Sequence, residues 1–311
     1  MKQILIVAAK EFNEAWKNHI FLIISALFFV FSILSVYIGS STKHAEIQAY
    51  LQTIALLKAG GATIFPPQPE IFTLTILQNN VIYVGMVGAL VAIFLGFDVF
   101  TKEKEQGNLR LILSRPLFRD QLITGKILGG ALVIGLLQGM VFIFGLALLR
   151  LVAGMTPAGS EILRLIVFTL ISFLYMLLFY LFSLLVSIIA KSSEAVFLIG
   201  ITFWIAVSFV IPQMADTQRS FAYSTNSAAQ NITQVPQDTA ISKAIEIISP
   251  TVHFQHLGNN LLQVVPETAK LSLGNLFAGM IPDLLYLVAP LLIILIMCYW
   301  AVLRIEVGSG A

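Results

Sequence analysis

Six predominantly apolar stretches of this sequence run for about 20 residues or more without a charged side chain, and they constrain the fold more than any other feature. They lie between Lys17 and Lys43, Glu70 and Asp98, Lys126 and Arg150, Arg164 and Lys191, Glu194 and Asp216, and Asp283 and Arg304. A helix needs about 20 apolar residues to cross roughly 30 Å of hydrocarbon, where every backbone polar group must be satisfied internally. The runs therefore predict six membrane-crossing helices, at about 20–39, 81–99, 127–149, 165–190, 195–212 and 284–303.

Composition agrees, because 58% hydrophobic and 11% charged residues cannot dress a solvated globular surface. The expected class is an all-α integral membrane protein, one membrane domain over 1–311. A net charge of +2 gives no reason to expect nucleic-acid binding. The single cysteine, Cys298, can form no intramolecular disulfide. Two further charge-free stretches, Arg219 to Asp238 and Glu246 to Glu267, are rich in Ser, Asn, Gln and Thr and read as extramembrane.

Orientation follows from the basic residues, which concentrate near the cytoplasmic ends of spans. With the amino terminus inside, eleven of the 18 Lys and Arg fall on the cytoplasmic side, and both termini are expected there. A cleavable signal peptide is not expected, since a charged amphipathic segment precedes the first apolar run. In that segment, 1–18, Leu5, Ala8, Phe12, Ala15 and Trp16 share one side of a helical wheel and Gln3, Lys10, Asn13, Glu14 and Lys17 the other. It is expected to lie flat in the membrane interface, the alternative being a first span extended into water. On the outer side the largest connection is 213–282. Its first half is polar and reads as a mobile loop; its second places Phe254, Leu257, Leu261 and Val264 at helical spacing and reads as short helices on or in the outer leaflet.

The six runs hold no ionisable residue in their middles, whereas ion-coupled carriers keep such groups at mid-membrane depth. Isolated hydroxyls such as Ser172, Ser183 and Thr202 suit bonds to their own helices. Glycines recur at four-residue spacing in the third run, Gly125 with Gly129 and Gly135 with Gly139, which suits close helix packing within a subunit or across a dimer seam. His253 and His256, three apart, could share one side of a helical turn and bind copper or zinc. With no nearby Cys or paired carboxylates they stand only as a weak candidate, and no metal is assigned. No phosphate-binding GxxxxGK[ST] loop occurs; the stretch LITGKIL lacks its first glycine and its hydroxyl residue. The chain is read as no enzyme, and any ATP must be handled by another polypeptide.

Between Phe97 and Lys126 lies FDVFTKEKEQGNLRLILSRPLFRDQLITGK, with six of the 18 basic and four of the 16 acidic residues. It is the one sizeable cytoplasmic loop in this reading. Its pattern of Glu105, Gly107, Leu109, Leu111, Leu113, Ser114, Arg115, Pro116, Arg119, Gly125 and Lys126 resembles the cytoplasmic loop of ABC-2 type permeases. An amino-terminal interfacial helix, six spans, a large outer loop before the last span and an SPT turn at Ser249, Pro250 and Thr251 extend the likeness along the whole chain. The closest subgroup is the permeases grouped with multicopper-enzyme maturation and gliding motility.

The resemblance implies a type V ABC exporter fold, with two permease copies, identical or paralogous, and two cytoplasmic ATPase subunits that bind the ATP and magnesium. This chain would bind no cofactor. It implies a coupling helix within loop 100–126, seated in a groove of the ATPase, through Lys102, Glu103, Lys104, Glu105, Gln106, Gly107, Asn108, Leu109, Arg110, Leu113, Arg115 and Pro116. Mixed charges there suit a polar, reversible interface and the leucines apolar anchors. Location in the inner (cytoplasmic) membrane, contact with lipid through Leu5, Phe12 and Trp16, and a possible extracytoplasmic partner complete the expectation. A non-transporting scaffold or sensor that recruits an extracytoplasmic partner is the alternative, and the cargo is not legible.

Overall fold

A computed structural model of the chain describes residues 2–70, 72–107, 118–226 and 231–304. Within them are six helices long and apolar enough to cross a membrane: α2 (His19–Ala59), α3 (Thr73–Glu105), α4 (Arg119–Leu151), α5 (Gly159–Ile189), α6 (Ser193–Thr217) and α10 (Leu273–Leu303). An amino-terminal α1 (Lys2–Lys17) precedes them. Between α6 and α10 come a hairpin, β1 (Ser220–Asn226) and β2 (Asn231–Gln237), and the short helices α7 (Ala240–Glu246), α8 (Pro250–Leu261) and α9 (Pro266–Ala269).

The helices outrun the charge-free stretches because polar residues continue them past the apolar limit. Lys126, Arg164 and Asp283, taken from the sequence as end-of-span groups, therefore stand inside α4, α5 and α10. Two of them are buried by pairing. Arg164, 3% exposed, donates to the carbonyls of Ala269 (3.0 Å) and Leu271, tying α5 to the end of α9; Lys126 belongs to the site below.

Asn18 separates α1 from α2: its side-chain oxygen accepts from the N–H groups of Ile20 (3.0 Å) and Phe21 (3.3 Å), an N-cap that starts a new helix instead of prolonging the old one. α1 packs on the first third of α4, where a Cβ on Gly125 would lie 2.6 Å from Val7 Cβ and one on Gly129 2.6 Å from Glu11 Cβ. That pair of glycines seats an element of its own chain, whereas a Cβ on Gly139 would meet nothing within 4 Å among the described residues. Ala8 and Ala15 are buried in this contact, Phe12 and Trp16 are half-buried, and Leu5 stays 65% exposed.

α5 is the hub. Tyr175, Phe179, Tyr180 and Leu184 along it are buried against its neighbours. A Cβ on Gly96 would sit 2.8 Å from the Tyr180 carbonyl oxygen, so only glycine lets α3 approach so closely. α3 and α6 each contain a π turn, at Val84–Gly88 and Ala206–Val210. Such turns release carbonyls from the helix ladder, and here side chains take them up. The Tyr175 hydroxyl donates to Gly85 O at 2.9 Å, and the Ser249 hydroxyl donates to Val207 O. Thr202 bonds its own helix at Leu198 O (2.8 Å), while Ser183 reaches across to Ile93 O (3.0 Å).

The 213–282 connection forms the short helices expected of its second half but differs from its sequence reading in two respects. The polar half forms an antiparallel hairpin, Ser220 opposite Gln237 and Phe221 opposite Pro236. Its base is fixed by Arg219, which pairs with Asp216 (2.9 Å), Asp238 (3.0 Å) and Glu246 (2.8 Å). In the other half, Phe254, Leu257 and Leu261 of α8 are fully buried, with Phe254 stacked on Tyr175 at 4.3 Å. Their helical spacing marks a face packed on α5 and α10, not one resting on lipid; periodicity reports an apolar side and says nothing of what covers it.

Candidate functional site

The end of α3 is built from polar residues that an isolated helix would leave in water. After the turn at 97–100 the chain makes one last helical turn, Thr101–Glu105, and stops at Gly107, whose φ of +69° suits the left-handed end of a helix. Three charged residues of this turn, Glu103, Lys104 and Glu105, reach other elements.

Glu103 points inward, with its side chain 9% exposed. Its Oε1 accepts from Lys126 Nζ at 3.0 Å and from Lys10 Nζ at 2.8 Å. Lys126, 1% exposed, also donates to Glu11 Oε1 (2.8 Å) and to Val99 O (2.9 Å), and its ammonium lies 4.9 Å from the Phe100 ring centre. Two carboxylates and two ammonium groups thus join α1, α3 and α4. Burial lowers the Lys10 pKa, but the Glu103 hydrogen bond and the carboxylates of Glu11 and Glu14 outweigh it, and the net shift is upward from 10.5. Beside the cluster is a cavity of about 60 Å³ lined by Glu14, Asn18, Asp98, Lys102 and Tyr180, among others.

Lys104 reaches the opposite way. Its ammonium donates to the carbonyls of Ser187 (3.2 Å), Ile188 and Ala190 (3.1 Å), the open carbonyls at the end of α5. A cation there satisfies orphan acceptors and complements the negative end of the helix dipole. Ser187 returns the contact, its Oγ accepting from the N–H groups of Phe100 (2.9 Å) and Thr101 (3.1 Å). Glu105 Oε1 accepts from Ser193 N–H at 3.0 Å at the start of α6, and Ser193 Oγ donates to Thr101 Oγ1 at 2.9 Å. A displacement of 101–105 therefore pulls directly on α1, α4, α5 and α6.

Sequence reading placed Lys102, Glu103, Lys104 and Glu105 together on a partner-facing surface. The structure instead turns Glu103 and Lys104 into the protein, where paired groups offset their desolvation, and leaves Lys102, Glu105, Gln106 and Gly107 exposed. Asn108, Leu109, Arg110, Leu113, Arg115 and Pro116 lie outside the described residues. Lys10, Glu11, Ser187 and Ser193 were not foreseen as partners. A faint signal existed in Lys126, which stands between Gly125 and Gly129 on a face shaped to receive another helix.

Comparison with known proteins decides the family. Residues 5–307 match the family described as ABC-2 family transporter protein. The chain belongs to the ABC-2 family. It is similar to the probable ABC transporter permease protein NosY of Stutzerimonas stutzeri, 28% identical over 140 residues, and to that of Pseudomonas aeruginosa, 27% identical over 158. These alignments cover 44% and 50% of this chain, and 41% and 48% of the relatives, so the chain spans less than half the length of each relative it matches. As an ABC-2 permease the chain is a membrane subunit of an ABC transporter, in a family whose permeases are not themselves catalytic.

Proposed function

We propose that this permease couples ATP hydrolysis in a separate cytoplasmic ATPase to export, or to work on a substrate at the outer face, as one of a pair of permease subunits with two ATPases. ATP and magnesium belong to the partner. The membrane is the inner (cytoplasmic) one, with both termini cytoplasmic. The observation that carries this reading is the four-way grip of 101–105 on α1, α4, α5 and α6. A partner that moves 101–105 delivers that motion directly to the helix ends these residues hold, a rigid-body coupling. Exposed Lys102, Glu105 and Gln106, continued by residues 108–116, form the contact surface; Glu103 and Lys104 form the inner linkage.

The test is reconstitution with a candidate ABC ATPase from the same genome. Reversing Lys102 and Glu105 together is expected to weaken association, whereas Glu103→Gln is expected to keep association and lower the transport or substrate-stimulated ATPase rate. Failure of the wild-type pair to associate, or both variants behaving as wild type, defeats the reading.

A second role has one observation in its favour. The β1–β2 hairpin, pinned by Arg219, presents Phe221 and Tyr223 at 63% and 69% exposure. Such a fixed, aromatic projection suits recruitment of an extracytoplasmic protein. Deleting 220–237 is then expected to leave ATPase association intact and abolish the cellular function.

A further inference from the structure

At the end of the bundle away from the charge cluster, α8 lays His253 and His256 against Asp283 of α10. One nitrogen from each imidazole and one carboxylate oxygen lie within 4.8 Å of one another. His253 Nδ1 is 2.7 Å and His256 Nδ1 3.5 Å from the same Asp283 Oδ1. The remaining nitrogen of His253 is buried and has no hydrogen-bond partner among the described residues, a costly arrangement in a side chain only 5% exposed. Behind the pair, Phe254 stacks on Tyr175, and the Tyr175 hydroxyl lies 3.1 Å from Thr251 Oγ1, so α8 is held in place. On the open side the His256 side chain is 46% exposed and that of Asp283 23%.

We propose that His253, His256 and Asp283 form a binding site for a divalent first-row transition-metal ion. Two imidazoles and one carboxylate select zinc, copper, nickel or cobalt over magnesium and calcium, which require mostly oxygen donors. Donors at about 2.0–2.2 Å from a tetrahedral ion stand about 3.3–3.6 Å apart. Closing a gap of up to 4.8 Å needs a shift of about 1.2–1.5 Å, and the 2.7 Å His253–Asp283 contact must open by under about 1 Å, both within reach of side-chain adjustment at half-exposed His256 and at Asp283. Three protein ligands leave a fourth position for water or for a donor from another molecule, as in sites that exchange or activate what they hold. A bound ion would cross-link α8 to α10.

Cobalt is the direct probe, because its visible absorption distinguishes a low-coordinate nitrogen–oxygen site from the hydrated ion. The full chain, purified in nanodiscs through a histidine-free tag, is expected to bind one Co2+ with an intense visible band that Zn2+ displaces. His256→Ala and Asp283→Asn, both at accessible positions, are each expected to weaken binding by about tenfold or more. The contacts are a plain His–Asp hydrogen bond, and the proposal falls, if the wild type shows no saturable binding. It falls equally if both variants bind as the wild type does while melting at the same temperature.

Discussion

At the scale of single residues, Lys126 carries the site. It is the most buried charge of the cluster and the one shared by Glu11, Glu103 and the Val99 carbonyl. Removing one partner of a buried ion pair leaves the others uncompensated, which costs about 3–5 kcal/mol. Lys126→Met is therefore expected to lower the melting temperature strongly in detergent. Adding Glu11→Gln and Glu103→Gln is expected to restore part of the loss, a non-additivity that double-mutant cycles measure. Lys10 gives the matching pH expectation. Its pKa is raised by the carboxylates, so its contribution is complete below 10.5, the ordinary value, and is lost only as pH rises through the raised one. Stability differences between wild type and Lys10→Met are expected to stay constant across the neutral range and to shrink only in strong alkali.

Among the elements, the α1–α4 contact makes the clearest prediction. A side chain at Gly125 or Gly129 overlaps Val7 or Glu11, at a cost of about 1–3 kcal/mol. Gly129→Val is expected to release α1, seen as faster hydrogen exchange over residues 2–17 and loss of the Lys126 pairing. Gly139→Ala meets nothing within 4 Å among the described residues and is expected to leave both unchanged. The sequence showed the four-residue spacing of these glycines but not which served packing. The spacing is a property of one helix, and the partner comes from more than a hundred residues away. The same limit explains α8: Phe254, Leu257 and Leu261 were visible as a helical apolar face, but lipid and protein are equally apolar covers.

Across the whole molecule, the charged turn at 101–105 links four elements while the hairpin projects as a separately pinned unit. Cutting one linkage is expected to leave the fold and impair transmission. Lys104→Met, which frees the carbonyls at the end of α5, is expected to retain ATPase binding in pull-down and to reduce stimulated hydrolysis severalfold. Excising the hairpin is expected to leave the melting temperature of the bundle nearly unchanged, because its listeners are the polar side chains of 216–246 rather than the core.

Six membrane-crossing helices, the one charged loop that interrupts them and the family resemblance can all be read from residue order alone. These rest on local quantities, apolar length and residue order, that need no partner to be read. The inward turn of Glu103 and Lys104, the burial of Lys126 beside Glu11 and the meeting of Asp283 with His253 and His256 appear first in the folded chain. Each depends on contact between residues at least 23 positions apart. Whether a charge meets water or a counter-charge is settled by the neighbour that folding supplies.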